Sequence, residues 1–484
     1  MSNSLKSSTI HAVSWSFIES GVLKLNQFII GILLARILFP EQFGLIGMLM
    51  IFVEVAQTLM YGGFSSALIQ KKDVTQTDIC SVFYLNIAVG VITSGLLCLI
   101  APWVAEFYKQ PILKNLLRAL SITLVINSLT MVHTAILTKE INFKLMTKVS
   151  LISNSVSGIV AVLFSVYGFG VWSLVIQQIA SSALRAISYW FFHSWRPSLV
   201  LNVKALREMF GFGSNLLFSN LLHTAFNNGY SLVIGKLFSA RDVGFFTRAK
   251  SLQEISSPAE ILWRVTFPVF SKIQDDPTRM KRGMKKALTG TALVYFPTMI
   301  GLAVTARPLI ISLLTEKWVQ SIPYFRLFCL AGLLIPLNIF NLNMLMALGR
   351  SEIFLRNGII NKILVVIAVT LTWRYGITYI IYGIIATEII SCYLNCYYAK
   401  ILVDYSIFEQ LYDCLSYLII SAVMGCIVYI VGLLDFKSVH VMLVTQISIG
   451  VAVYISICRM FKLRAFMEVL EDNLGKLPYF GRAS

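Results

Sequence analysis

The amino-acid sequence predicts an all-α polytopic membrane protein of about fourteen transmembrane helices, arranged as two six-helix bundles followed by two further helices. Of the 484 residues, 57% are hydrophobic and 13% are charged, whereas a soluble domain carries about 25% charged residues. The apolar residues gather in runs of about 20, the length that crosses the hydrocarbon core of a bilayer. The third observation is an internal repeat, which divides the predicted helices into two equal sets.

Hydropathy and polar punctuation predict where each membrane span begins and ends. The first six spans cover residues 12–35, 43–66, 79–101, 116–137, 149–167 and 171–193. The next six cover residues 214–236, 244–271, 287–313, 321–347, 357–375 and 377–400, and the last two cover 411–433 and 438–460. The predicted organisation is an N-terminal bundle (1–195), an amphipathic cytoplasmic linker (196–213), a second bundle (214–403), two extra helices (404–460) and a cytoplasmic tail (461–484).

The loop charges predict the orientation. Fourteen spans place both termini on one side, and the side that carries more Lys and Arg faces the cytoplasm. With the termini inside, 24 of the 40 Lys and Arg residues fall on inner segments, 12 on outer segments and four within spans. The net charge of +17 is therefore explained by topology, and the basic patches interleaved with aromatics that indicate nucleic-acid binding do not occur.

The repeat appears when the sequence is shifted by 200 positions. Ala35-Arg36 then aligns with Gly235-Lys236, Gly44 with Gly244, and Glu54 with Glu254. Farther along, "LTKEINF" at 137–143 resembles "LGRSEIF" at 348–354, and "VYGFGV" at 166–171 resembles "RYGITY" at 374–379. Six spans per copy is an even number, so the two copies have parallel topology, related by an axis along the membrane normal. Transporters built from repeats bind substrate at the repeat interface and alternate access.

Ionisable and amide side chains inside the predicted spans mark candidate functional positions, because such groups are costly in lipid. In span 6, Arg185 has no acidic residue on its own helix, so its partner is either an acid on another helix or an anionic ligand. Span 8 is the richest in charge. There Lys250 and Glu254, and Glu260 and Arg264, form i,i+4 pairs that can neutralise each other.

Proline residues predict interruptions in the helices of the second half. Pro258 removes a backbone hydrogen bond in span 8 and should kink it. Three other prolines, Pro268, Pro297 and Pro336, are also expected to interrupt helices, and Pro102 and Pro197 to lie at ends or in loops.

Five segments carry a resemblance to a known family. They read "ILLARILFPEQFGLIGM" (32–48), "GGFSSALIQKKDVTQTD" (62–78), "VYGFGVWSLVIQQIASSALRA" (166–186), "VTFPVFSKIQDDPTRMKRG" (265–283) and "FNLNMLMALGRSEIFLR" (340–356). These segments resemble Wzx-type polysaccharide flippases, including O-antigen flippases, of the multidrug, oligosaccharidyl-lipid and polysaccharide exporter superfamily. The resemblance implies twelve core helices in two bundles plus two extra helices. It also implies an undecaprenyl-diphosphate-linked oligosaccharide that moves from the cytoplasmic to the periplasmic leaflet of the bacterial inner membrane.

Combined with the intramembrane polar residues, that substrate suggests roles for three sets of side chains, although pairing within the protein is the alternative for each. Cations suit diphosphate or an acidic sugar: Arg185, Lys250 and Arg264. Amides and a phenol suit sugar hydroxyls: Tyr61, Gln177, Gln178, Asn338 and Asn341. Carboxylates suit a coupling proton or sodium ion: Glu19, Glu54 and Glu254.

Two other functions compete with the flippase. A cation-coupled multidrug exporter of the same superfamily would need an acidic, aromatic lumen, whereas spans 6 and 8 carry cations. A glycosyltransferase or polymerase should expose a soluble loop with clustered acids or histidines, and no predicted loop exceeds about twenty residues. No phosphate loop or nucleophile–base pair occurs, so we expect no catalytic activity, cofactor or metal. Expected partners are the lipid-linked oligosaccharide, membrane lipid, and the polymerase and chain-length machinery of the pathway.

Overall fold

The computed structural model describes residues 21–61, 63–71, 73–140, 142–257, 259–463 and 465–468. Within these ranges the regular structure is helical and no strand occurs, which confirms the predicted all-α class. The helices of the first half are α1 (21–37), α2 (Pro40–Tyr61), α3 (Phe64–Gln70), α4 (Gln76–Tyr108), α5 (Ile112–Lys139), α6 (Phe143–Val166), α7 (Val171–Phe192) and α8 (Val203–Leu237). The remainder are α9 (Ala240–Ile255), α10 (Ala259–Ser271), α11 (Pro277–Val304), α12 (Ala306–Leu314), α13 (Ile322–Gly332), α14 (Ile335–Ala347), α15 (Ser351–Thr372), α16 (Ile377–Val403), α17 (Ile407–Val431) and α18 (Val439–Met460).

Nine of the described helices are long and apolar enough to cross a membrane, and the bent pair α13–α14 is a tenth candidate. The nine are α2, α4, α5, α6, α11, α15 with the short turn that follows it, α16, α17 and α18. The predicted spans 6, 7 and 8 fall on α7, α8 and the α9–α10 pair, which are more polar or interrupted. The total of fourteen spans therefore stays a prediction.

The chain divides into two compact units, Met1–Thr247 and Arg248–Ser484. In the first unit, α8 packs against α2, α3 and α4. Because α8 is one continuous helix from Val203, it includes the second half of the segment predicted as a linker. The unit boundary falls inside α9, beyond the start of the predicted second bundle.

The corners that precede α2 and α9 are built alike. One ends a helix at residue 37 and starts the next at Pro40, and the other ends at Leu237 and restarts at Ala240. Each corner is capped by a side chain that accepts a hydrogen bond from the backbone N–H three residues earlier. Phe39 donates to Gln42 Oε1 at 3.0 Å and Ser239 donates to Asp242 Oδ2 at 3.1 Å. Such caps satisfy N–H groups that a helix start leaves unpaired, and they recur at the spacing of the sequence repeat.

Helix breaks occur beside two of the four prolines that were predicted to cause them, of which Pro258 itself lies outside the described residues. The helix of predicted span 8 stops at Ile255 and resumes at Ala259, on either side of position 258. The α13–α14 pair is bent by 42° immediately before Pro336, which lies in the first turn of α14. By contrast, Pro268 and Pro297 lie inside continuous helices, and Pro102, which was expected at a helix end, lies inside α4.

In the second unit, α17 and α18 pack into the same hydrophobic core as α11 and α14. Tyr417, Met424 and Tyr454 are buried there, and the Tyr454 hydroxyl donates to the backbone oxygen of Leu293 at 2.7 Å. The two helices that were predicted as extras are therefore integral to the core of this unit.

Candidate functional site

A polar cavity of about 390 Å³ lies within the first unit. Its walls are formed by α1, α2, α5, α6 and α7, and α7 contributes from Leu174 to Arg185. At 1.5 Å per residue, those positions span about 17 Å along the helix axis. The full lining consists of Gln27, Ile30, Gly31, Leu34, Phe43, Gln57, Tyr61, Thr123, Asn127, Asn154, Ser157, Leu174, Gln177, Gln178, Ser181, Ser182 and Arg185.

Amides and hydroxyls dominate this lining, and none of the described Asp or Glu residues belongs to it. One face of α7 carries Gln177, Ser181 and Arg185, because these residues are spaced four positions apart. Ser181 contacts Asn154 across the cavity wall, with 3.1 Å between its hydroxyl and the amide oxygen. The amide oxygen of Asn127 is buried and has no hydrogen-bond partner. Such a wall can bind a polyhydroxylated molecule, because amides both donate and accept.

Arg185 is the charged residue of the cavity. No carboxylate of the described residues pairs with it, and its Nε atom is buried without a hydrogen-bond acceptor. A guanidinium between apolar helices is stabilised by a bound anion or by water when no acidic side chain of the protein neutralises its charge. The sequence predicted that Arg185 pairs either with an acid on another helix or with an anionic ligand. Among the described residues, no such acid is present.

The cavity brings together four of the eleven residues predicted to contact substrate or ion. They are Tyr61, Gln177, Gln178 and Arg185. Gln57 of α2 joins them, but Glu54 on the same helix does not line the cavity. Glu19 and the side chain of Arg264 lie outside the part of the chain that the structure describes, so their predicted roles stay predictions.

A second polar cluster lies in the second unit, around the partly buried carboxylate of Glu388 on α16. Asn338 on α14 donates to Glu388 Oε2 at 3.4 Å, and Asn361 on α15 donates to the same carboxyl group. Asn395 continues the chain of amides by donating to Asn338 Oδ1 at 3.1 Å, and Asn357 donates to Asn395 at 3.0 Å. The cluster joins three helices through amide–amide and amide–carboxylate bonds.

Lys250 lies near this cluster and has acids around it. Its Nζ atom is 3.6 Å from Glu254 Oε1, which confirms the predicted i,i+4 pair, and its charge also acts on Glu388. Lys250 is thus compensated by protein carboxylates, whereas no carboxylate in the described part of the chain compensates Arg185. Glu388 was not among the predicted residues, although a single acid within the apolar run "IYGIIATEIIS" is as costly in lipid as Arg185.

Asn341, which was predicted to bind glycan, lies instead in the core of the second unit. It is 0% exposed, and its amide exchanges two hydrogen bonds with Gln410, at 2.8 and 3.2 Å. It also donates to the backbone oxygen of Leu337 at 2.8 Å. Both ends of the Asn341 amide are therefore occupied by protein in this conformation.

Comparison with known proteins identifies sequence relatives in surface-polysaccharide synthesis. The sequence pattern of a family described as "Polysaccharide biosynthesis protein" matches residues 33–323. The chain is 28% identical over 331 residues to the teichuronic acid biosynthesis protein TuaB of Bacillus subtilis (strain 168), covering 64% of this chain and 68% of that protein. It is 25% identical over 403 residues to the lipopolysaccharide biosynthesis protein WzxC of Escherichia coli (strain K12), covering 81% of each.

Solved structures with the same fold are transporters. A lipid II flippase MurJ in an inward closed conformation superposes with a TM-score of 0.74 at 15% identity, over 96% of this chain and 99% of that one. An inward-facing multidrug resistance transporter of the MATE family gives a TM-score of 0.62 at 14% identity, over 79% and 94%. At these identities the likeness concerns the fold.

Proposed function

The chain belongs to the polysaccharide biosynthesis protein family, and we propose that it is a flippase for lipid-linked oligosaccharides rather than an enzyme. The observation that carries this proposal is the cavity of the first unit, which is lined by amides and hydroxyls around an arginine with no carboxylate partner among the described residues. Relatives named for teichuronic acid and lipopolysaccharide biosynthesis support the same class of substrate.

The physical problem for such a substrate is the transfer of its polar head through hydrocarbon. Each unpaired polar group costs several kcal/mol there, and a glycan carries many hydroxyls. Gln57, Gln177 and Gln178 can exchange hydrogen bonds with hydroxyls in place of water. A volume of about 390 Å³ lies at the small end of ligand pockets, which range from about 300 to 1,000 Å³. The cavity therefore suits part of a glycan, while the lipid tail stays in the bilayer.

We also propose the lipid carrier, the direction of transport and the orientation of the chain. The lipid is undecaprenyl diphosphate, the movement runs from the cytoplasmic to the periplasmic leaflet of a bacterial inner membrane by alternating access, and both termini are cytoplasmic. Arg185 binds the diphosphate or an acidic sugar. Glu388 is added to the carboxylates that could carry a coupling proton or sodium ion, because it is held by amides within the second unit.

A multidrug exporter is the alternative within the same superfamily. Hydrophobic cations bind to acids and to aromatic faces. Among the described residues, the lining of the cavity has no acid and two aromatic residues, Phe43 and Tyr61. The charge that these residues contribute, Arg185, repels cations, so the described lining favours an anionic glycan substrate.

The test is deletion of the gene in the native host. We expect lipid-linked repeat units to accumulate on the cytoplasmic side and surface polysaccharide to be lost, both measured by leaflet-selective labelling of the glycan. Complementation with the intact chain should restore export. Normal surface polysaccharide together with lost drug resistance would identify the exporter instead.

A further inference from the structure

The starts of α2 and α9, both within the first unit, meet backbone to backbone. A Cβ atom placed on Gly44 would lie 1.6 Å from the carbonyl oxygen of Ala240, and one on Gly244 would lie 1.9 Å from the carbonyl oxygen of Pro40. Side chains never approach a carbonyl oxygen so closely, so only glycine permits this contact. Small residues allow the same close approach where helices pack in membranes.

The contact is reciprocal at the spacing of the repeat. Gly44 contacts residue 240, and Gly244 contacts residue 40. Adding 200 to the first residue number and subtracting 200 from the second therefore converts one contact into the other. A self-complementary contact of this kind surrounds a twofold axis. Packing of two unrelated helices would not produce it. The local pseudo-twofold axis therefore passes between residues 40–44 and 240–244.

This contact adjoins one end of the cavity. Phe43, which precedes Gly44, lines the cavity together with Leu34 of α1 and Leu174 of α7. The loop charges predict that both corners lie on the periplasmic side. The cavity end near Phe43 is then its periplasmic end, and the contact of α2 with α9 begins at Gly44, the next residue of α2.

We propose that the Gly44–Gly244 contact is the closed periplasmic gate of the cavity and that α2 and α9 separate there to release the bound glycan, an inference that rests on the proposed flippase function. Among the described residues, Pro40, Gly44, Ala240 and Gly244 form no hydrogen bond with the opposite helix. The contact is held by close packing, so it can part without exposing unpaired donors or acceptors. It can also close tightly, because no side chain intervenes.

Gly44→Ala and Gly244→Ala should prevent full closure, since each new methyl group would overlap a carbonyl group of the opposite helix. The matched control is Gly95→Ala on α4. It also adds a methyl group to a helix of the first unit, but there a Cβ meets nothing within 4 Å.

The readout is periplasmic access to the cavity, which requires no substrate. Ser157→Cys on α6 places a thiol in the cavity lining, in a variant from which the eight native cysteines have been removed. Intact cells are treated with a membrane-impermeant maleimide, and a permeant maleimide measures the total reactive protein. We expect Gly44→Ala and Gly244→Ala to raise impermeant labelling by about tenfold or more, and Gly95→Ala to leave it unchanged. Equal labelling in all of these variants, at equal amounts of folded protein, would overturn the gate.

A second measurement covers the case in which the alanine variants do not fold. Glu41 and Arg241 are exposed residues that adjoin Pro40 and Ala240. In the double variant Glu41→Cys with Arg241→Cys, a short reducible bis-thiol cross-linker should stop polysaccharide export, and reduction should restore it. Undiminished export by fully cross-linked protein would refute the gate. If labelling changes as expected but the host lacks a polysaccharide phenotype, the gate stands and the flippase function fails.

Discussion

Arginine at position 185 is costly inside a bundle of apolar helices unless something compensates its charge. The described part of the chain provides amides and hydroxyls around it but no carboxylate. By contrast, the Nζ atom of Lys250 lies 3.6 Å from Glu254 Oε1, and its charge also attracts the carboxylate of Glu388. At the scale of single residues, the two predicted cations therefore differ, and Arg185 is the one left available to an anion from outside the protein.

Removing the guanidinium should impair transport without unfolding the protein. A hydrogen bond to a charged group contributes about 1.5–3 kcal/mol, so Arg185→Ala should reduce export by about tenfold or more. Arg185→Lys keeps the charge but loses the bidentate geometry and should be intermediate. The control is Arg118→Ala on α5, an exposed arginine outside the cavity. Export is measured as surface polysaccharide per amount of membrane protein, and normal export by Arg185→Ala would exclude its contact with substrate.

The Asn341–Gln410 pair should affect stability rather than transport. Truncating Asn341 to Ala leaves the Gln410 amide buried without its partners, which costs about 1–3 kcal/mol. The double variant Asn341→Leu with Gln410→Leu removes both polar groups and should recover much of the loss. Thermal unfolding in detergent measures both variants. Equal destabilisation by the single and double variants would show that the amides do not act as a pair.

The structure brings four of the predicted residues, Tyr61, Gln177, Gln178 and Arg185, to one cavity, and their contact with substrate stays a prediction. The sequence cannot show that Gln410, 69 positions away, occupies the amide of Asn341 in this conformation. Glu388 was missed although it obeys the same rule as Arg185. The surroundings of each polar residue depend on contacts between helices, and local sequence does not contain them.

In the second unit, an ion pair joins the ends of α11 and α17. Lys285 on α11 lies 2.6 Å from Asp413 Oδ1 on α17, and the other oxygen of Asp413 accepts from the Tyr405 hydroxyl at 2.8 Å. Burial raises the pKa of Tyr405, which lies between α16 and α17, so it stays a hydrogen-bond donor at neutral pH. The Asp413 side chain is only 9% exposed, so this pair is less screened than surface pairs.

Breaking the Lys285–Asp413 pair should loosen α17 from α11. Lys285→Met leaves a largely buried carboxylate without its cation, and a loss of about 3–5 kcal/mol is typical when a buried pair loses one partner. Because Lys285 is half exposed, we expect the lower end of that range or less. Adding Asp413→Asn should reverse most of the effect. Resistance to trypsin in membranes reports the change, and Lys286→Met, which removes a more exposed lysine, is the control.

Helix ends were more predictable than helix continuity. The two repeated corners could be located because proline, glycine and capping side chains act within a few residues. Proline gave a less certain signal. One helix ends at Ile255 and another break precedes Pro336, but α10 and α11 continue through Pro268 and Pro297. Inside a helix, proline removes one hydrogen bond, and packing by neighbouring helices decides whether the helix tolerates the loss.

At the scale of the whole molecule, α17 and α18 are part of the folded core rather than additions to it. Cys414, Tyr417, Met424 and Tyr454 are each at most 8% exposed in the core shared with α11. The sequence repeat could not indicate this, because α17 and α18 have no counterpart in the first copy. Hydropathy located these two helices in the sequence, but it did not indicate that they pack into the core.

Truncation after Val403 should therefore destabilise the second unit. Removing α17 and α18 would expose the apolar face of α11, including Leu293 and the residues around it, and the chain should accumulate poorly or aggregate in detergent. Size-exclusion chromatography of the solubilised protein distinguishes a folded from an aggregated product. A monodisperse and export-competent truncated chain would show that the two helices are dispensable.

The exchange of Gly44 with Gly244 across Pro40 and Ala240 also concerns how such a chain arises. Two identical copies of a six-helix protein, inserted in the same orientation, would make this contact twice over as a homodimer. Gene duplication and fusion through the segment between α7 and α8 would preserve it as a contact within one polypeptide. Once fused, the copies could diverge, as the proline at 40 and the alanine at 240 have done, but neither glycine could change alone without losing the shared interface. Duplication followed by fusion would therefore account for the reciprocal form of this glycine contact.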